Sequence, residues 1–143
     1  MTATSTALTK TAGCDGCGDA GAVSQQQILS GDGYLQFTAP SVGPMIVAGL
    51  TSGNPGTNGD AITFGIQLQG DAEVWESGVY KADTTLSAGD VFKVSVESGI
   101  VKYYKNGTLF YTSTVAPAYP LIADAVIYSL NGSITSAVIM VGP

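Results

Sequence analysis

Two cysteines, Cys14 and Cys17, are the only ones in the chain and enclose Asp15 and Gly16 in the run TAGCDGCGDAGAVS. This C-x-x-C spacing admits a redox pair, half of a metal site, or a disulfide across a turn. A redox pair needs a helix N-terminus to lower the thiolate pKa, and nothing near Cys14 predicts a helix. Zinc needs two more Cys or His ligands, yet the chain has no histidine and no third cysteine. Asp15 and Gly16 suit a two-residue turn, whose flanking residues stand near the Cα separation of about 5.5 Å that a disulfide tolerates. The expectation is a Cys14 to Cys17 disulfide stapling an early turn. Its loop is so short that it contributes less than the roughly 3 kcal/mol of a loop of about 15 residues.

Carboxylates are the second candidate chemistry. A retaining glycosidase holds two carboxyl groups about 5 to 5.5 Å apart, which on a strand means residues sharing one face. In DAEVWESGVY, Glu73 and Glu76 are three apart and point to opposite faces, while Asp71 shares a face with Glu73 but sits at a turn. Without histidine there is neither a Ser-His-Asp triad nor the commonest neutral-pH base, so the chain is expected not to be an enzyme. Eight scattered aspartates offer hard oxygen ligands, but no D-x-D-x-D-G loop gathers them. Asp32 in SGDGY and Asp90 in AGDVF read as turn residues bonding their own backbone. No cofactor is expected. Were calcium to bind, the loop at Asn58 and Asp60 would contribute most.

Aromatic rings are the third. A pyranose stacks its apolar face on a flat ring while its hydroxyls bond nearby Asp, Asn or Gln. Trp75, the only tryptophan, shares strand parity with Glu73 and Ser77 and opposes Val74. It either offers a sugar platform or caps the edge of the core. Tyr34, Tyr80 and Tyr104 carry the same two readings, whereas Tyr103 and Tyr111 share parity with inward residues. The candidate ligand site is Trp75, Tyr80, Tyr104, Asn58 and Asp60.

The elements that must position these residues are strands. Phe92, Val94 and Val96 alternate with polar residues, Glu97-Ser98-Gly99 turns the chain, and Val101 to Tyr104 lead to Asn106-Gly107, the residues of a type I′ hairpin turn. Leu109 to Thr114 return as a third strand. GYLQFTAP sets Leu35 and Phe37 inward, AITFGIQL sets Ile62, Phe64, Ile66 and Leu68 on one face, and AEVWESGVYKA reads as the next strand. Further strands are expected around Ile46 to Leu50, Leu121 to Ser129 and Ser133 to Val141. Thr51 to Ala61 is a loop by composition, and Pro117 and Pro120 mark a crossover between sheets. NGT at Asn106 and NGS at Asn131 match a glycosylation pattern but read more simply as turns. About ten strands with frequent turns and no amphipathic helix indicate a single all-β antiparallel sandwich or barrel spanning residues 1 to 143.

Composition agrees. With 143 residues, 45% hydrophobic and 11% charged, the chain is too apolar for disorder, yet no run approaches the roughly 18 apolar residues of a membrane span. Five Lys+Arg against 11 Asp+Glu leave a net charge of −6, which repels nucleic acid and anionic lipid. The start MTATSTALTK lacks the basic and apolar regions of a signal peptide. A Ser, Thr and Gly-rich chain with few lysines suggests an extracellular or cell-surface module cut from a larger parent. Polar outward faces and negative charge favour a monomer over edge pairing.

The run VWESGVYKADTTLSAGDVFKVSVESGIVKYYKNGTLFYTS resembles the concanavalin A-like lectin/glucanase sandwich in its small SPRY-like or laminin-G-like form, where a GD-x-hydrophobic-x-V strand precedes a V-x-Y-x-x-NG hairpin. The likeness extends back through AGAVSQQQILSGDGYLQF, similar to modules of bacterial surface and secreted proteins, and covers about Gly21 to Val138. It implies a jelly roll of two antiparallel sheets, one concave, and members that bind glycans, bind proteins or space other domains. Glucanase members carry an E-x-D-x-E or E-x-D-x-x-E strand, which this chain lacks. The function expected is a noncatalytic carbohydrate-binding module taking a glycan or polysaccharide. The alternative is an adhesive or structural spacer, or a protein-interaction module, without a small ligand. The staple is checked by alkylation: unreduced protein should take up no label, reduced protein two, and label on unreduced protein counts against both disulfide and extracellular location.

Overall fold

In a computed structural model, the described residues are 2–3, 8–13, 15–16, 21–52 and 62–141, with backbone alone for 2, 3, 8, 21–26 and 141. Cys14 and Cys17, and with them the expected disulfide, lie outside the described residues. Every regular element described is a strand: β1 (Thr2–Ala3), β2 (Leu8–Thr9), β3 (Gly21–Ile28), β4 (Gly33–Ala39), β5 (Ile46–Ser52), β6 (Phe64–Leu68), β7 (Ala72–Glu76), β8 (Val79–Thr84), β9 (Asp90–Glu97), β10 (Ile100–Lys105), β11 (Thr108–Thr112), β12 (Leu121–Ile127) and β13 (Ser133–Val141). They form a seven-stranded sheet in the order β1-β2-β13-β4-β9-β10-β11 and a six-stranded sheet in the order β3-β12-β5-β6-β7-β8. All pairings are antiparallel.

Alternation sets which residues meet between the sheets. Leu35 and Phe37 of β4 and Phe92, Val94 and Val96 of β9 are buried against Ile46, Ala48 and Leu50 of β5 and Phe64 and Ile66 of β6. The Phe37 and Phe92 rings lie 6.0 Å apart. Each such side chain contributes roughly 1.5 to 3 kcal/mol by leaving water. Strand β12 is buried along its whole length, on both faces. The expected crossover is present: the chain passes from β11 to β12 through Pro117 and a cis Tyr119–Pro120 bond, changing sheets.

Two expectations are corrected. AEVWESGVYKA is a hairpin and not one strand, because Ser77 (φ 50°) and Gly78 (φ 81°) turn the chain between β7 and β8. The same positive-φ geometry recurs at Asn106 (φ 51°) and Gly107 (φ 82°), as expected of a type I′ turn. Ile62 does not continue the face of Phe64: strand β6 begins at Phe64, and Ile62 packs with Val47 and Val126 outside the six-stranded sheet. The bend at Thr63 is held by its N–H donating to the Thr51 hydroxyl at 3.3 Å.

The turns are tied by carboxylates. Asp90 is buried and accepts from the Ser87 N–H at 2.8 Å and from Asn106 Nδ2 at 3.0 Å, with Lys105 Nζ at 3.6 Å. Burial pushes its carboxyl up, but the bonds from Asn106 and Ser87 and the Lys105 charge outweigh it and hold the group below the usual carboxylate range. Asp32 instead reaches a neighbouring turn, accepting from the Ser98 N–H at 3.0 Å.

One polar link crosses the core. Tyr103 on β10 is fully buried and donates to Glu76 Oε2 on β7 at 2.8 Å, while Glu76 Oε1 has no partner. Burial, and after it the Glu76 charge, push the Tyr103 phenol far up, so it stays a donor at every ordinary pH. Tyr103→Phe strands the Glu76 carboxylate and should cost about 1 to 3 kcal/mol in denaturant unfolding. Tyr103→Phe combined with Glu76→Leu should recover part of that loss, and additive losses would show that the link contributes nothing.

Candidate functional site

Strand β7 presents Val74 and Glu76 to the core, which leaves Glu73 and Trp75 on the outer face. The β7–β8 hairpin then places Tyr80 opposite Trp75 and Asp83 opposite Glu73. Those two pairs are separated by two residues on β7 but three on β8, so the register shifts between Val74 and Trp75. The bulge absorbs Lys81 and turns Tyr80 to the outer face, where simple alternation from Asp83 would have sent it inward.

The result is an aromatic pair rimmed by acids. The Trp75 and Tyr80 rings meet edge to face, centroids 5.8 Å apart at 75°. Trp75 Nε1 donates to Glu73 Oε1 at 3.0 Å, and the Tyr80 hydroxyl donates to Asp83 Oδ2. The Asp83 hydrogen bond, with minor burial and the charges of Asp83, Glu73 and Asp71, pushes the Tyr80 phenol up to about 12. Tyr80 is 46% exposed, and Trp75 is half-buried with its indole outside the core cluster. Ser77, expected to share the face of Trp75, lies in the turn.

The other proposed site residues are not brought to this pair. Tyr104 lies on β10, in the seven-stranded sheet, as does Tyr34 on β4. Asn58 and Asp60, and with them the loop expected to contribute to calcium binding, lie outside the described residues. Among the described residues no three Cys, Asp or Glu side chains gather as a metal-binding group.

A residue that strand parity does not single out completes the row. Trp75 pairs with Gly65 of β6, Gly65 with Gly49 of β5, and Gly49 with Asp124 of β12. Gly49 is required, since a Cβ there would stand 1.9 Å from the Phe64 carbonyl oxygen. Asp124 is 1% exposed, and neither carboxylate oxygen has a well-formed hydrogen bond, the adjacent Ala125 N–H being its one nearby donor among the described residues. Burial, offset in part by the adjacent Ala125 N–H, pushes its carboxyl up to about 6. Its one signal in the sequence is a lone charge inside the apolar run LIADAVI.

The fold can be compared with known ones. The TRIM65 PSpry domain superposes with a TM-score of 0.63 at 16% identity, over 82% of this chain and 70% of that one. The Emp47p carbohydrate recognition domain gives 0.60 at 8% identity, over 84% and 76%. The Bacillus licheniformis β-glucanase gives 0.54 at 15% identity, over 85% and 70%. The chain has a concanavalin A-like jelly-roll fold. No protein-family model and no curated protein sequence matches it. At such identities the likeness is one of architecture, and this jelly roll serves enzymes and non-enzymes alike. Strand β7 offers no paired carboxylates on one face: its outward residues are Glu73 and Trp75, and Glu76 is turned into the core.

Asp124 gives a pH prediction. Its folded pKa lies above the unfolded value near 3.9, so its contribution to stability is greatest below pH 4 and falls as pH rises through about 6. A rise of that size is linked to a loss of roughly 3 kcal/mol at most. Asp124→Asn should therefore gain stability relative to wild type between pH 4 and pH 7 in urea titrations. Parallel curves for the two proteins across that window would show that the carboxylate is solvated.

Proposed function

We propose that the chain is a noncatalytic, lectin-like module whose outer face at β6 to β8 takes a neutral, hydroxyl-rich glycan. The observation that carries this reading is the Trp75–Tyr80 pair, with each ring's polar end tied to a carboxylate, Glu73 or Asp83. Each carboxylate keeps a second oxygen that can accept from a sugar hydroxyl, while the rings offer apolar surface to a pyranose face. Asp71, Glu73 and Asp83 together repel anionic polymers, so a neutral sugar suits this face better than a uronate or a nucleic acid.

Catalysis is not part of the proposal. Glu73 and Asp83 are committed to the rings, and the chain has no histidine to share proton transfer. The lectin-like reading is supported by the shared fold with a carbohydrate recognition domain. We place the module in a secreted or cell-surface parent of several domains, where a single weak sugar site gains from multivalency.

A glycan array with neutral plant, microbial and host sugars tests this. Wild type should bind, and Trp75→Ala and Tyr80→Ala should each weaken binding about tenfold or more, the scale of one lost aromatic contact. Silence across the array, or binding indifferent to Trp75→Ala, would favour a spacer or a protein-contact module.

A further inference from the structure

The outer face of the seven-stranded sheet holds a second aromatic cluster with the opposite charge. On β9, Lys93 and Ser95 face outward between Tyr34 and Gln36 of β4 and Lys102 and Tyr104 of β10. Lys93 Nζ sits 4.6 Å from the centroid of the Tyr104 ring and 5.1 Å from that of Tyr34, so the ammonium lies between two rings. Among the described residues no carboxylate pairs with it, whereas Lys102 and Lys105 face Glu97 and Asp90 at 3.5 and 3.6 Å.

The cluster is held in place by its neighbours. The Tyr104 hydroxyl donates to Glu97 Oε2 at 2.7 Å, and that hydrogen bond, more than burial or the Glu97 charge, pushes the phenol up to about 12. Glu97 in turn meets Lys102, so its charge is already engaged. Across the face run the rows Val138-Gln36-Lys93-Tyr104-Leu109 and Met140-Tyr34-Ser95-Lys102-Thr112. Five strands at about 4.8 Å spacing give a strip about 19 Å across. Val138, Met140 and Leu109 are exposed along it.

We infer that this face is a second binding surface, separate from the Trp75 pair, for a carboxylate-bearing polysaccharide, with Lys93, held between the Tyr34 and Tyr104 rings, taking the carboxylate. Charge complementarity selects the ligand. A cation held between aromatic faces, with no carboxylate partner among the described residues, suits an anionic group on a ring with apolar surface, in a chain whose net charge of −6 otherwise repels such polymers. The two faces thus discriminate between sugars by charge: two lysines, Lys93 and Lys102, against Glu97 on this outer face, and three carboxylates around Trp75.

Affinity electrophoresis in polygalacturonate gels, with a neutral glucan gel as control, tests the inference on the full chain. Wild type should be retarded by polygalacturonate, and Lys93→Met should weaken binding about tenfold or more, the scale of one charge-assisted hydrogen bond. Lys93→Arg should retain binding, Tyr104→Ala should lose it, and Trp75→Ala should leave it unchanged. Raising ionic strength from about 0.05 to about 0.5 M should weaken it further through screening. Absence of retardation, retardation unchanged by Lys93→Met, or loss with Trp75→Ala would overturn the inference. The neutral-glycan array decides the Trp75 reading independently.

Discussion

A strand that commits one face to a core has no choice about what it shows on the other, and both surfaces of this sandwich follow from that constraint. Because Val74 and Glu76 are needed inside, Glu73 and Trp75 stand outside. Because Phe92, Val94 and Val96 pack inward, Lys93 and Ser95 face outward between the tyrosines of the flanking strands. Register then fixes the neighbours. A slip of one residue in β9 would bury the lysine and expose Val94, a cost in desolvation that no surface contact could offset.

Where alternation alone would give the wrong face, local irregularities correct it. The bulge at Lys81 brings Tyr80 to the side of Trp75, and the Ser77-Gly78 turn is tight enough to set the two rings on neighbouring strands. The Asp90, Asn106 and Lys105 bonds fasten the start of β9 to the β10–β11 turn, which holds Lys93 and Tyr104 in register. Side-chain hydrogen bonds spent on turns are thus part of how the outer faces are aimed.

Much of this is legible in residue order, since period-2 runs and Asn106-Gly107 point directly to an antiparallel sandwich, and parity alone orients Trp75 with Glu73. The hairpin at Ser77-Gly78 is harder to read, because a non-glycine residue at positive φ gives a weaker turn signal than Asn-Gly. Ile62 matches the spacing of Phe64 and Ile66, yet a bend one residue earlier sends it to the other side of the sheet. Sheet membership is less legible still. Tyr104 and Tyr80 both sit in strand-like runs, and only long-range pairing, set by which strands cross over, assigns them to different sheets.

Asp124 shows the same limit at the level of energy. Its strand is buried on both faces, a position that favours an unbroken apolar run, and a carboxylate there costs stability unless it is protonated or partnered. Neighbouring small residues do not relieve it: Gly49, the direct cross-strand partner, is dictated by the close approach of β6 and brings no donor. Asp124 shares a row with Trp75, yet at 1% exposure it is closed off from any group that approaches the exposed aromatic pair. The contrast with Glu76 sharpens the point. That buried carboxylate lies between the sheets and has Tyr103 as a donor, so its burial is partly compensated and belongs to the core, whereas Asp124 lies on the outer side of its sheet without such a donor.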